Sequence, residues 1–391
     1  MKTLGRFPMF LSVILAALML APSARAADDA AGKGAYLVYF GTYTRAKSQG
    51  IYAYRFDAGT GKLTSLGLAA EIRDPSFLAV HPNRRFLYAV SEIDDYDEDK
   101  SGSVSAFTIN AESGKLTLLN RVTSRGGWPC HINVERTGKS LAVANYSSGS
   151  VAAFPLEADG RLGEASAFVQ HSGRSVNAER QQGPHAHSAD FSPDNRFLAV
   201  SDLGIDQVLL YRFDAAKSSL AANDPPSVKV KPGAGPRHFA FHPSGPYAYG
   251  NNELQSTVTA YAYDGKRGAL KELQTLSTLS KDFQGDNTTA EIEVHRSGKF
   301  VYVSNRGHDS IAVFAIDEGK GTLQAVEQVS TQGKTPRGFA IDPTGKYLFA
   351  ANQNSDNVVQ FRIDANSGRL TPTGQVLEVY SPVCIKLVAL E

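Results

Sequence analysis

A repeated segment of this chain offers chemistry-bearing side chains at two fixed positions. The first position follows an x-Pro step in most copies and Thr288-Thr289 in one. In successive copies it carries Cys130-His131, His187-Ser188, Arg237-His238, Ala290-Glu291 and Arg337-Gly338. The second position ends the next apolar run and carries Ser91-Glu92, Asn145-Tyr146, Asn252-Glu253, Asn305-Arg306 and Asn352-Gln353. An imidazole near its reference pKa can move a proton. Guanidinium groups can stabilise an oxyanion or clamp a carboxylate or phosphate. A carboxylate among them can orient an arginine or act as an acid. The asparagine at the second position (Asn145, Asn252, Asn305, Asn352) recurs too regularly for catalysis and is assigned to backbone bonding at the turn. Arg237, Glu253 and Arg306 differ from copy to copy, which a purely structural repeat does not need. An Arg–Glu pair there can also be a buried ion pair between units. His131 fits either role. His81 and His242 precede prolines in a turn at the opposite face and read as structural.

The elements that must position these residues are short strands. In Gly235–Leu254, Phe239 and Phe241 alternate with small residues, which is the period of a strand. His242–Gly245 is a Pro/Gly turn, and Tyr247–Gly250 resumes the apolar run. The same hairpin opens at Pro75, Pro129, Pro184, Pro236 and Pro336, and again near Thr289; the first four prolines recur roughly every fifty residues, a period of repeat architectures. Third strands follow at 102–109, 150–156, 207–213, 257–263, 310–316 and 357–363. A Gly-rich turn and a Leu/Thr-rich fourth strand close each unit. Four short strands per unit make a β-propeller blade. Tyr36–Thr42 lacks a first strand before it, and Ser381–Leu387 is a first strand with nothing after it. Joined, the two termini complete a seventh blade and remove an exposed edge. The expectation is therefore an all-β, seven-bladed β-propeller over residues 27–391, with four antiparallel strands per blade. The start of each first strand and the end of each second strand then ring one mouth of the central channel.

Lys2 and Arg6 precede an apolar run from Met9 to Ala21, followed by Ala24-Arg25-Ala26. This pattern predicts a secretory signal peptide over residues 1–26, hence a periplasmic or secreted protein with no membrane attachment after cleavage. Its removal takes the formal charge from +1 to −2, which favours neither nucleic acid nor an anionic surface. The two cysteines, Cys130 and Cys384, sit in units that are not neighbours and are expected to be unpaired. No Cys/His spacing resembles a zinc site. The acidic stretch Asp94–Asp99 reads as a solvated loop. The polar segment His171–Gln182, with Arg174 and Arg180, enters from the mouth and is a candidate lid.

Gly183-Pro184-His185-Ala186-His187-Ser188, Asp202–Asp206, Pro236-Arg237-His238 with Asn252-Glu253-Leu254, Ser304–Ser310 and Thr335–Phe339 with Ala351-Asn352-Gln353 resemble the seven-bladed propeller lactonases. That family includes bacterial 6-phosphogluconolactonases and fungal carboxy-muconate cyclases. The resemblance implies a catalytic set of His187 (or its neighbour His185), Arg237, Glu253 and Arg306, with no metal and no organic cofactor. His131, His238, Glu291, Arg337 and Gln353 are expected to bind substrate. The implied activity is hydrolysis of a sugar lactone, a small molecule, by a monomer. A muconate-type cycloisomerase and a non-catalytic binding propeller remain as alternatives. The predicted export signal sits awkwardly with a phosphorylated substrate made in the cytosol.

Overall fold

The computed structural model describes Met1 and residues 34–44 and 47–390. The expected signal peptide lies outside the described residues. Those residues form seven four-stranded antiparallel sheets with one short 3-10 turn at Gln353–Ser355. None of their helices is long and apolar enough to cross a membrane.

Alternation decides which strands are buried where. The second and third strands are sandwiched between neighbouring blades, so they read as near-continuous buried runs. Phe86–Ser91, Ser140–Asn145 and Phe197–Asp202 are buried at every position. The outer strands, such as Leu323–Ser330 and Leu370–Glu378, alternate toward solvent. The blade interiors are clusters of Val, Leu, Phe and Tyr that cross from one sheet to the next.

The ring closes through the termini. Ala35–Thr42 pairs antiparallel with Pro382–Ala389, in register from Tyr36↔Ala389 to Thr42↔Pro382. Tyr36, Val38, Phe40 and Ile385 share one core cluster with Phe349 and Val358 of the preceding blade.

Between blades, polar latches repeat on the face opposite the candidate site. His81, His242 and His295 each bond through Nε2 to a glycine carbonyl in the turn of the next blade: Gly138, Gly298 and Gly345, at 2.8, 2.9 and 2.9 Å. Glycine is required at these turns. A Cβ on Gly138 would meet the His81 ring at 2.4 Å, and Gly138 has φ of 72°. These histidines hold the blade-to-blade spacing.

Candidate functional site at the channel mouth

A β-bulge lies at the start of nearly every inner strand. Where the first strand pairs with the second, the register skips Cys130, His187 and Arg337, the Arg237-His238 and Ala290-Glu291 pairs, and Val383. A bulge puts two residues opposite one and re-aims a side chain. Cys130, His187 and Arg337 face the mouth, and Arg237 reaches the same group through its ion pair with Glu253. His131, His238 and Glu291, each next to a residue in a bulge, and Asp190, three past His187, line a cavity deeper in the channel. This local irregularity sorts neighbours in sequence into two separate cavities.

The mouth cavity, about 400 Å³, is lined by His187, Glu253, Arg306, Arg337, Gln353 and Cys130, among others. Glu253 is its electrostatic centre. Its carboxylate pairs with Arg180 at 2.8 Å, Arg237 at 3.1 Å and Arg306 at 3.1 Å, and lies 3.9 Å from His187 Nε2. Arg237 is almost wholly buried, its side chain 2% exposed, and it also donates to His238 Nε2 and the Ala290 carbonyl. Arg306 donates to the Thr289 carbonyl at 3.0 Å, while its buried Nε has no partner among the described residues. On the other wall Tyr43 donates to both Glu92 oxygens, at 3.0 and 2.9 Å, and Arg337 lies over the Tyr43 ring.

Burial and charge set the protonation states. Burial alone would raise the Glu253 carboxyl, but Arg306, Arg237, His187 and Arg180 outweigh it and hold it well below the usual carboxylate range. Glu253 is therefore ionised near pH 7. Burial, with Arg237 and His238 alongside, pulls His187 well below the ordinary histidine value, so its imidazole is neutral near pH 7. Arg306 is drawn down to about 10 by burial, against the pull of Glu253 and with Arg237 and Arg337 near it, and keeps its charge. Burial pushes the Cys130 thiol up, which leaves it protonated and unreactive. Cys130 and Cys384 are both free and buried.

The structure divides the ten candidate residues. His187, Arg237, Glu253, Arg306, Arg337 and Gln353 meet at the mouth. His185 does not line that cavity: its ring stacks on Tyr146, with centroids 4.6 Å apart, and its Nδ1 bonds the Tyr146 carbonyl at 2.9 Å. His131, His238 and Glu291 are a correction to the expected mouth. They line a second cavity of about 330 Å³ further along the same inner strands, with Asp190, Glu293 and Lys386. The cause is the bulge, which turns each of them one place past the residue that faces the mouth. The two cavities stand back to back, His187 and His238 touching ring to ring with centroids 5.3 Å apart. The Asn residues act as expected of turn residues: Asn145, Asn305 and Asn352 donate to the carbonyls of Ser124, Thr278 and Thr331. Asn252 departs from this and donates to the Thr257 and Thr259 hydroxyls.

Arg180 is the site residue that the sequence left unassigned. It arrives on the segment foreseen as a lid and donates to Tyr146 Oη at 3.0 Å and to Glu253. Its one sequence signal was an arginine in a long polar insertion facing the mouth. Among the described residues no three His, Cys, Asp or Glu side chains are grouped to hold a metal ion.

The family model described as "Lactonase, 7-bladed beta-propeller" matches residues 37–387. A 6-phosphogluconolactonase of Bacillus subtilis is 39% identical over 351 residues, covering 90% of this chain and 98% of that protein. A 6-phosphogluconolactonase of Formosa agariphila is 37% identical over 311 residues, covering 78% of this chain and 86% of that protein. Among solved structures, the periplasmic gluconolactonase of Pseudomonas aeruginosa superposes with a TM-score of 0.85 at 36% identity, covering 91% of this chain and all of that one. The chain belongs to the seven-bladed β-propeller lactonase family.

Proposed function

We propose that this protein is a carboxylic-ester hydrolase that opens a sugar lactone at the mouth cavity. The observation that carries this reading is the unpartnered Arg306 Nε, a buried donor on an arginine already fixed by Glu253 and Thr289, beside a neutral imidazole. An unmet buried donor is costly unless a ligand oxygen meets it.

In the proposed mechanism His187 takes a proton from a water that attacks the lactone carbonyl carbon. The carbonyl oxygen gathers negative charge, which Arg306 stabilises from a fixed position. The ring C–O bond then breaks, and the imidazolium returns its proton to the departing alkoxide. Lactone and water become one hydroxy acid. Glu253 stays ionised throughout, so it does not serve as the acid. It aligns Arg237 and Arg306 and offsets the transient charge on His187.

Two relatives differ in name on the phosphate, one a 6-phosphogluconolactonase and one a gluconolactonase. The expected export of this chain favours the unphosphorylated lactone, and guanidinium also binds hydroxyl and carboxylate oxygens. The test is kcat/KM on glucono-1,5-lactone and on its 6-phosphate, corrected for spontaneous opening. Turnover of the unphosphorylated lactone at least as efficient as that of the phosphate is expected. Arg306→Ala should lower turnover roughly 100-fold or more, as for loss of an oxyanion donor, with an unchanged fold. A wild-type protein without lactonase activity, or an Arg306→Ala variant within a few-fold of it, would overturn the reading.

A further inference from the structure

Trp128, the single tryptophan of the chain, stands at the edge of the mouth cavity in an unusual setting. Its φ is 52°, a left-handed backbone that bulky residues seldom adopt. The equivalent pre-proline positions of other blades hold smaller residues in the same conformation: Asp74, Gly235, Thr335 and Ser381. The fold therefore asks for a turn there, not for an indole. The residue is 43% exposed, and among the described residues its ring has no ring contact, cation partner or side-chain hydrogen bond. Its backbone is nevertheless fixed. Trp128 N donates to the Ile93 carbonyl and its own carbonyl accepts from Tyr146 N, both at 2.9 Å. Gly127 before it is crowded, since a Cβ there would meet Ser147 Oγ at 2.4 Å.

Trp128 and Glu92 line not only the mouth cavity but also an adjoining cavity of about 520 Å³. The charges of the two differ. The mouth cavity holds arginines, whereas among the described residues the adjoining one is lined by the carboxylates of Asp74, Asp94 and Glu92, the first bonded to Thr44 and the last to Tyr43, and by Arg73, itself paired with Asp95. Such a surface repels a phosphate. An exposed aromatic face with carboxylates and the Thr44 hydroxyl around it has the chemistry that takes up a neutral sugar ring: stacking on the C–H face and acceptors for hydroxyls.

We propose that the adjoining cavity is a subsite for a second sugar ring, so that the enzyme accepts lactones of oxidised disaccharides, with Trp128 as the stacking platform. This rests on the lactonase reading of the mouth. The lactone ring occupies the arginine-lined cavity, and its glycosyl substituent passes Glu92 to lie on the indole.

The sole tryptophan reports its own occupancy. The full mature chain is titrated with cellobionate and with gluconate, the unreactive products, while its fluorescence is followed. Cellobionate should quench or shift the emission, and gluconate should change it far less. In parallel, kcat/KM is measured for cellobiono-1,5-lactone and glucono-1,5-lactone with wild type, Trp128→Ala and Trp128→Phe. Trp128→Ala should lower the disaccharide-to-monosaccharide ratio about tenfold, the size expected for loss of a stacked aromatic. Trp128→Phe should keep the ratio within about threefold, which separates loss of stacking from misfolding. An unchanged ratio in Trp128→Ala, or a fluorescence response equal for the two acids, overturns the subsite. If wild type opens neither lactone, the hydrolase reading fails instead. The fluorescence titration then decides alone: a response to cellobionate upholds the subsite and its absence overturns it.

Discussion

Glu253 accepts charge from three directions, and its partners differ in what they contribute. Arg237 and Arg306 are desolvated with it, whereas the Arg180 side chain is 39% exposed. Removing the carboxylate strands two guanidinium groups in a buried site. Glu253→Gln should therefore lower stability by about 3–5 kcal/mol, the usual cost of breaking a buried ion pair. Arg180→Gln should change stability by less than about 1 kcal/mol, because water screens its bond. Urea midpoints for the two variants check this, and similar losses in both would show that Glu253 is not the electrostatic centre. The depressed Glu253 carboxyl has a defined sign. Its contribution is complete above the unfolded-state value, near 4, and is lost as pH falls through the folded value. Acid therefore lowers stability because the unfolded chain takes up this proton, while Glu253 in the folded mouth is among the last carboxylates to do so.

At the scale of elements, the inner strands do two jobs at once, closing the ring and aiming the site. Blade count, the hairpin repeat and the pairing of the termini were legible because each rests on local alternation and turn chemistry, which a single sequence carries. Tyr36–Thr42 and Ser381–Leu387 read as halves of one sheet, and they pair over Tyr36↔Ala389 to Thr42↔Pro382. The division of the polar rim was not legible. Cys130 from His131, and Arg237 from His238, are separated by a bulge, and a bulge depends on the register with the partner strand rather than on the residues alone. Arg180 escaped for another reason: it belongs to an insertion of one blade, outside the repeat that organised the search. The closing strand also carries a stability prediction. Val383, Ile385 and Val388 are all buried. At ~1.5–3 kcal/mol each, their loss rivals the whole stability of an ordinary domain. Deleting residues from Ser381 onward should abolish cooperative unfolding and expose the edge of Ala35–Thr42 to aggregation. A truncated protein with the full-length melting curve would rule this closure out.

For the whole molecule, the channel is two chambers of opposite electrostatic habit, and the deeper one should govern how stability responds to pH near neutrality. Burial pushes Glu293 up to about 8, with Glu291 adding to the rise, and Asp190 up to about 7; Glu291 is raised as well. Lys386 faces all three and lies over the Phe77 ring at 4.7 Å, while burial pulls His131 and His238 well below their ordinary value. Around these acids the folded protein holds protons that the unfolded chain has released above about pH 4. His131, His187 and His238 act the other way below about pH 6.5, where the unfolded chain protonates them and the folded one does not, so the two sets oppose each other there; between about pH 6.5 and 8 the acids alone count, the folded state binds more protons, and stability falls as pH rises. One proton per group would give a slope of about 1.4 kcal/mol per pH unit; water in the channel makes the real slope smaller. Glu293→Gln keeps an oxygen to accept from Ile341 N, where Glu293 Oε2 now accepts at 3.0 Å, and removes one titrating group. Urea midpoints of wild type should therefore decline from about pH 6.5 to pH 8, and those of Glu293→Gln should decline less steeply. The loss below pH 4, to which Glu253 and other depressed carboxylates such as Glu135 and Asp194 contribute, should be the same in both. Equal slopes between about pH 6.5 and 8 would mean that Glu293 is ionised in the folded channel and that Lys386 neutralises it directly.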